Sequence, residues 1–160
     1  MRPIHRGNAE RWKAGLELKC CWYDQDALEL GVTASNAKFS GLAHPYVSLD
    51  YLAEAAEILD RFPKDTSDTR ELSFGTPGEK FAGGFVHLKF SCRDLSGHAV
   101  IEVEIESKNE SRRESLWNQF PQASHFFAEI EANAVDEFVK ELRQLNQNKN
   151  GTAWLPFASS

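Results

Sequence analysis

Residues 84–107, GFVHLKFSCRDLSGHAVIEVEIES, constrain the fold most strongly because apolar and polar side chains alternate through two segments separated by a turn. The predicted inward positions are Val86, Leu88, Phe90 and Cys92 in the first segment, and Ala99, Ile101, Val103 and Ile105 in the second. Strict alternation is typical of strands with one buried and one solvent-exposed face. Between them, Asp94 and Gly97 stand at the first and last positions of a tight turn. The sequence therefore predicts an antiparallel hairpin that covers a core.

Two alternating segments near the start of the chain, residues 16–23 and 27–35, predict a second hairpin. Its inward rows are predicted to be Leu16, Leu18, Cys20 and Trp22, and Leu28, Leu30, Val32 and Ala34. A third strand is predicted at 38–47, where Pro45 cannot donate a ladder hydrogen bond and so indicates a sheet edge or an irregular stretch. Further strands are predicted around residues 71–74, 124–131 and 152–157.

Two segments carry apolar residues at helical spacing instead. The first follows Ser48 as predicted N-cap, ends before Pro63, and has the inward stripe Leu49, Leu52, Ala56, Leu59 and Phe62. The second follows Asn133 as predicted N-cap and has the inward stripe Val135, Phe138, Val139, Leu142 and Leu145. Both patterns indicate amphipathic helices that cover a sheet.

The predicted fold class is α+β, with residues 1–160 forming a single domain. We expect a twisted, mostly antiparallel β-sheet of six to eight strands with two amphipathic helices. Residues 1–14 are predicted to be a flexible N-terminal arm. Residues 107–122 are predicted to be a long polar loop, and loops longer than about 12–15 residues are usually either functional or disordered.

Charge and composition limit the classes of partner. The net charge of −6 disfavours nucleic acid, whose binding depends on neutralising phosphates, and suits a basic protein partner met by electrostatic steering. No apolar run approaches the roughly 20 residues that span a bilayer, so no membrane partner is expected. The N-terminal residues lack the apolar core of a signal peptide, and three cysteines cannot all pair, so a cytoplasmic protein with reduced thiols is predicted. The oligomeric state stays open.

The sequence contains none of the motifs GxGxxG, GxxxxGK[ST], HExxH, CxxC or GxSxG. His87 is expected opposite Glu104, an arrangement that fits either an acid–base dyad or a cross-strand polar pair on a solvated face. The second interpretation is favoured because no nucleophile lies near this pair in the sequence. We therefore predict no catalytic residue, no metal and no cofactor, and a protein that is not an enzyme.

Two features suggest a partner-binding surface instead. Glu102, Glu104 and Glu106 form an acidic row on one strand, which fits a basic partner or simply a solvated face that discourages edge pairing. Trp117 and Phe120 lie in the long polar loop, where they either pin the loop to the domain or anchor a partner. These five residues are the predicted partner-binding residues.

Several short segments together resemble a family of small bacterial proteins of uncharacterised function. They are Phe39-Ser40-Gly41, Leu59 with Phe62-Pro63, Glu71-Leu72 with Gly75, Gly84 with 88–92, Asp94 with Gly97-His98, and Asp136 with Phe138 and Leu142. They cover roughly residues 39–145. The general layout, a strand pair, a helix ending in Phe-Pro, a strand meander and a final amphipathic helix, is also similar to that of the WapI-type immunity proteins of contact-dependent toxin systems. This resemblance implies an α+β fold and a non-enzymatic inhibitor, and it supplies no catalytic residues.

Two hypotheses from different classes follow. The first is a protein-binding domain of the immunity type, which blocks a bacterial toxin by surface complementarity. The alternative is a small-molecule-binding protein or minor enzyme, with a pocket between sheet and helices that holds His87, His98 or Cys21. A deep pocket with converging polar groups would favour the alternative, and a smooth domain with an acidic or aromatic patch would favour the first hypothesis.

Overall fold

The computed structural model describes residues 13–76, 83–107 and 122–158. The strands are β1 Gly15–Tyr23, β2 Leu28–Ser35, β3 Ser40–Ala43, β4 Tyr46–Val47, β5 Thr69–Gly75, β6 Phe85–Cys92, β7 His98–Ser107, β8 Gln122–Glu131 and β9 Thr152–Pro156. The helices are α1 Tyr51–Leu59, between β4 and β5, and α2 Ala132–Asn148, between β8 and β9. Neither helix is long and apolar enough to cross a membrane.

The strands form two antiparallel sheets. The first has the order β3-β2-β1-β9, with β4 also paired to β2, and the second has the order β5-β6-β7-β8. The predicted α+β class with antiparallel pairing and two helices is confirmed. Nine strands are described, and they divide between two sheets where one sheet of six to eight was expected. Alternation identifies a strand but does not say which sheet it joins.

The central hairpin, β6 with β7, has the predicted register. Phe90 lies opposite Ile101, and Leu88 lies opposite Val103. His87 consequently faces Glu104, as predicted. Both sheets and both helices bury their apolar residues in one shared core, which includes Phe74, Phe90 and Phe138 among its largest fully buried side chains.

Helix α2 buries all five residues of its predicted stripe, but both predicted N-caps are wrong. α1 begins at Tyr51 after Asp50, while the carbonyl oxygen of Ser48 accepts a 3.1 Å hydrogen bond from the Tyr51 amide. Asn133 lies inside α2, because β8 runs directly into the helix at Glu131 without a loop. The amide of residue 132 has no partner within the helix, and it donates to the carbonyl oxygen of Gly97 at 2.8 Å.

The inward position predicted for Trp22 is also wrong, because β1 contains a bulge. Cys20 pairs with Leu30, but the next pair joins Trp22 to Glu29, so Cys21 is an extra residue. An extra residue changes the face on which the following side chains lie. Trp22 is therefore 51% exposed.

The predicted arm 1–14 and the predicted loop 107–122 stay predictions, because most of their residues lie outside the described part of the chain. β1 begins at Gly15, directly after the predicted arm 1–14, of which residues 1–12 lie outside the described residues. β7 ends at Ser107 and β8 begins at Gln122, so most of the predicted loop 107–122 also lies outside them. Trp117 and Phe120 belong to that segment.

Candidate protein-binding face

The outer face of the second sheet carries all three glutamates of the predicted acidic row. Strand register places two rows across its four strands: Glu71, Lys89, Glu102 and Phe127 in one, and Ser73, His87, Glu104 and His125 in the next. Glu106 and Glu129 extend the same face on β7 and β8. We call these side chains together the acidic face. Among the described residues it sets five glutamates against one lysine.

The row Glu102, Glu104 and Glu106 does not guard a sheet edge, because β7 is an interior strand between β6 and β8. The free edge of β8 is covered by other groups instead. Asn36 donates its side-chain amide to the carbonyl oxygen of Phe127 at 3.0 Å, and the Ala158 amide donates to that of Glu129 at 2.7 Å. Edge protection therefore does not explain the acidic row.

His125 connects two of the predicted glutamates. Its Nε2 lies 2.6 Å from Oε2 of Glu102 and 3.8 Å from Oε1 of Glu104. The imidazole also packs against the ring of Phe127, with 5.5 Å between ring centroids. Antiparallel pairing produces this cluster, since His125 is directly opposite Glu104 and diagonal to Glu102.

His87 contacts a different glutamate from the one directly opposite it on β7. Its Nε2 lies 3.4 Å from Oε1 of Glu71 on β5. Each histidine of the acidic face thus has a carboxylate partner from a neighbouring strand. Such contacts organise a charged surface.

Phe127 is the feature of this face that the sequence reasoning missed. Its side chain is 57% exposed on β8, directly opposite Glu102, whereas its neighbour Phe126 is buried. The signal was present in the sequence, because adjacent strand residues point to opposite faces and two consecutive phenylalanines cannot both be buried by one core. His125, two residues before Phe127, follows from the same alternation.

The three cysteines are free thiols. Cys92 donates its thiol to the carbonyl oxygen of Asp94 at 3.2 Å, within the β6–β7 turn. Burial, and then the nearby charge of Glu29, raises the pKa of the Cys21 thiol. A raised pKa is the opposite of what an activated nucleophilic thiol requires.

The β6–β7 turn holds a tight carboxylate–imidazole contact. Asp94 Oδ2 lies 2.9 Å from His98 Nδ1, and Asp94 Oδ1 accepts a 2.8 Å hydrogen bond from the Ser96 amide. The hydrogen bond with His98 lowers the pKa of Asp94, and the same bond raises the pKa of His98. A cleft of about 230 Å³ opens beside this turn. It is lined by Arg93, Asp94, His98, Ala99, Glu129, Ile130, Glu131 and Ala158.

The alternative hypothesis expected His87, His98 or Cys21 in a pocket between sheet and helices, and the structure places these residues apart from one another. His87 lies on β6 within the acidic face, His98 lies at the start of β7, and Cys21 belongs to the other sheet. The space between the sheets and helices is occupied by the shared apolar core. Two groups of ligand-type side chains do converge within 4.8 Å, namely Glu102, Glu104 and His125, and Cys21, Glu29 and His44.

Comparison of the chain with protein-family models, with curated proteins and with solved structures found no significant match.

Proposed function

We propose that this chain is a non-enzymatic protein-binding domain whose acidic face receives a basic partner. The observation that carries this proposal is that one sheet face presents five glutamates together with the exposed ring of Phe127. Charges at the rim of an interface mainly accelerate encounter, whereas a desolvated aromatic side chain holds the complex together. The acidic face offers both.

The backbone of the acidic face supports the same proposal. Four hydrogen-bonded strands carry it, and the opposite side of those strands belongs to the buried core. Side chains on such a scaffold lose little backbone freedom on binding, so less of the interaction energy is spent on ordering the surface.

The specific role proposed is that of an immunity-type inhibitor of a bacterial toxin, acting in the cytoplasm. The similarity of the general layout to that of WapI-type immunity proteins supports this role. Trp117 and Phe120 remain proposed anchoring residues, since they belong to the segment that joins β7 to β8, two strands of the acidic face.

Affinity capture with the full chain, followed by binding kinetics, tests the proposal. Glu102→Gln combined with Glu104→Gln should slow association about tenfold at low salt and reduce its salt dependence. The matched control is Glu54→Gln with Glu137→Gln, which removes the same charge from exposed positions on the helices. Equal effects of the two double variants would show that only the net charge matters, and would refute the proposal that the acidic face is the binding surface.

A small-molecule-binding protein or minor enzyme is the alternative, and the cleft beside Asp94 and His98 is the observation that favours it. Ligand pockets usually enclose about 300–1,000 Å³, so a cleft of about 230 Å³ suits only a small ligand. Failure to capture any protein, together with tight metabolite binding that His98→Ala abolishes, would decide for this alternative.

A further inference from the structure

A second cluster of functional side chains lies on the outer face of the first sheet, away from the acidic face. Cys21 comes from the bulge in β1, Glu29 from β2, and His44 from the connection between β3 and β4. Backbone hydrogen bonds fix both residues of this connection, His44 and Pro45. The His44 amide donates to the carbonyl oxygen of Gly83 at 2.8 Å, and the carbonyl oxygen of Pro45 accepts from Leu30 at 3.0 Å.

The three side chains point their ligand atoms at one another. His44 Nδ1 lies 4.0 Å from Cys21 Sγ and 3.9 Å from Glu29 Oε1, and all three atoms lie within 4.8 Å of one another. Around a tetrahedral zinc ion, bond lengths of about 2.3 Å to sulfur and about 2.0–2.2 Å to nitrogen or oxygen separate ligand atoms by roughly 3.3–3.6 Å. The separations from Nδ1 exceed these values by roughly half an ångström, which small side-chain rotations can close.

Two neighbouring residues fit the surroundings of a metal site. The hydroxyl of Tyr46 donates to Glu29 Oε2 at 2.9 Å, which orients the carboxylate and leaves Oε1 directed at His44. Outer hydrogen bonds of this kind orient metal ligands. Gly31 leaves the space between the strands open, because a Cβ there would lie 3.0 Å from Cys21 Sγ and 3.6 Å from His44 Cε1.

We propose that Cys21, Glu29 and His44 bind one divalent ion of the zinc class. One thiolate, one imidazole and one carboxylate form a mixed donor set that suits zinc, whereas magnesium and calcium prefer oxygen ligands alone. Three protein ligands leave the fourth tetrahedral position for water or an exogenous donor. The exposed position of Cys21 gives such a donor access.

Metal titration of the full chain, after removal of bound metal with a chelator, tests the site. Zn²⁺ titrated into the protein should bind with a stoichiometry of one, measured calorimetrically. Co²⁺ should produce a thiolate-to-cobalt charge-transfer band in the near ultraviolet. Loss of an outer hydrogen bond typically costs about 10–100-fold in metal affinity. Tyr46→Phe, which removes an outer hydrogen bond, should therefore weaken binding by about tenfold. Cys21→Ser and His44→Ala each remove a direct ligand and should weaken binding by about 100-fold or more.

The neighbouring thiol provides the matched control. Cys20→Ser should keep both the affinity and the cobalt band, because Cys20 is half-buried against the core and is not among the three ligands. Gly31→Ala should weaken binding while the thermal unfolding temperature stays close to that of the parent, which separates metal loss from misfolding. Absence of stoichiometric binding, a cobalt complex without the thiolate band, or loss of the ion in His125→Ala but not in Cys21→Ser would overturn the proposal.

Discussion

Arg70 on β5 connects the end of α1 to the second sheet, and its replacement gives the most informative stability test. Its Nε and Nη2 donate to the two carboxylate oxygens of Asp68, at 2.8 and 2.7 Å. Its Nη1 donates to the carbonyl oxygens of Ile58 and Asp60, at 2.7 and 2.9 Å. The guanidinium also lies 5.7 Å from the ring centroid of Phe62. One side chain therefore satisfies groups on three segments.

The magnitude follows from burial. The side chains of Arg70 and Asp68 are 20% and 11% exposed, so Arg70→Met leaves a largely buried carboxylate without its bidentate partner. Breaking a fully buried pair costs about 3–5 kcal/mol. Because water retains some access here, we expect about 2–3 kcal/mol in the free energy of unfolding, measured by urea denaturation at pH 7. Lys140→Met is the control, since its pair with Glu137 is about two-thirds exposed and should change stability by less than about 0.5 kcal/mol.

The pH dependence of the stability loss caused by Arg70→Met provides a sharper test. The hydrogen bond from Arg70 lowers the pKa of Asp68 in the folded protein below its ordinary value. A carboxyl group with a lowered folded-state pKa stabilises the protein above its unfolded pKa, which is about 3.9, and this contribution is lost as the pH falls through the folded value. The difference between the parent and Arg70→Met should therefore shrink below about pH 4. A cost under about 1 kcal/mol at pH 7, or one that does not change with pH, would refute this account.

Four further changes test other parts of the structure. Phe138→Ala should lower the free energy of unfolding by about 3–5 kcal/mol in denaturant melts, because its ring is fully buried in the core; a loss under about 1 kcal/mol would contradict the burial. Trp117→Ala should speed dissociation from a captured partner and leave association nearly unchanged, and the reverse pattern would exclude an anchoring role. NMR titration should show a pKa for His98 above the ordinary value, and Asp94→Asn should lower it; no change would exclude the hydrogen bond as the cause. Gly84→Ala should destabilise the fold in thermal melts, because φ is +90° and a Cβ would lie 2.2 Å from a carbonyl oxygen of β7; unchanged melting would contradict this close approach.

Alternation predicted the local parts of the fold correctly wherever the backbone follows regular strand or helix geometry. The β6–β7 register follows from pairing apolar positions, and it places His87 opposite Glu104. The helix boundaries were less predictable, because the start of α2 depends on β8 running directly into it. No residue preference in the sequence records such a continuous connection. Alternation predicts that Phe126 and Phe127 lie on opposite faces of the sheet. Which of the two is exposed depends on the side of the sheet on which the core lies.

The sequence by itself determined most of the buried side chains, because a period of two or 3.6 residues reports which face of a strand or helix is buried. Trp22, which follows the bulge in β1, is an exception. It also determined the absence of the five motifs named above and the location of the acidic row on one strand. The tertiary structure alone decided that the strands form two sheets, and that β8 brings His125 and Phe127 beside Glu102 and Glu104. It also places Cys21 next to His44, although the two residues are 23 positions apart in the chain. That contact depends on a bulge and on pairing between strands, and local periodicity contains no information about either.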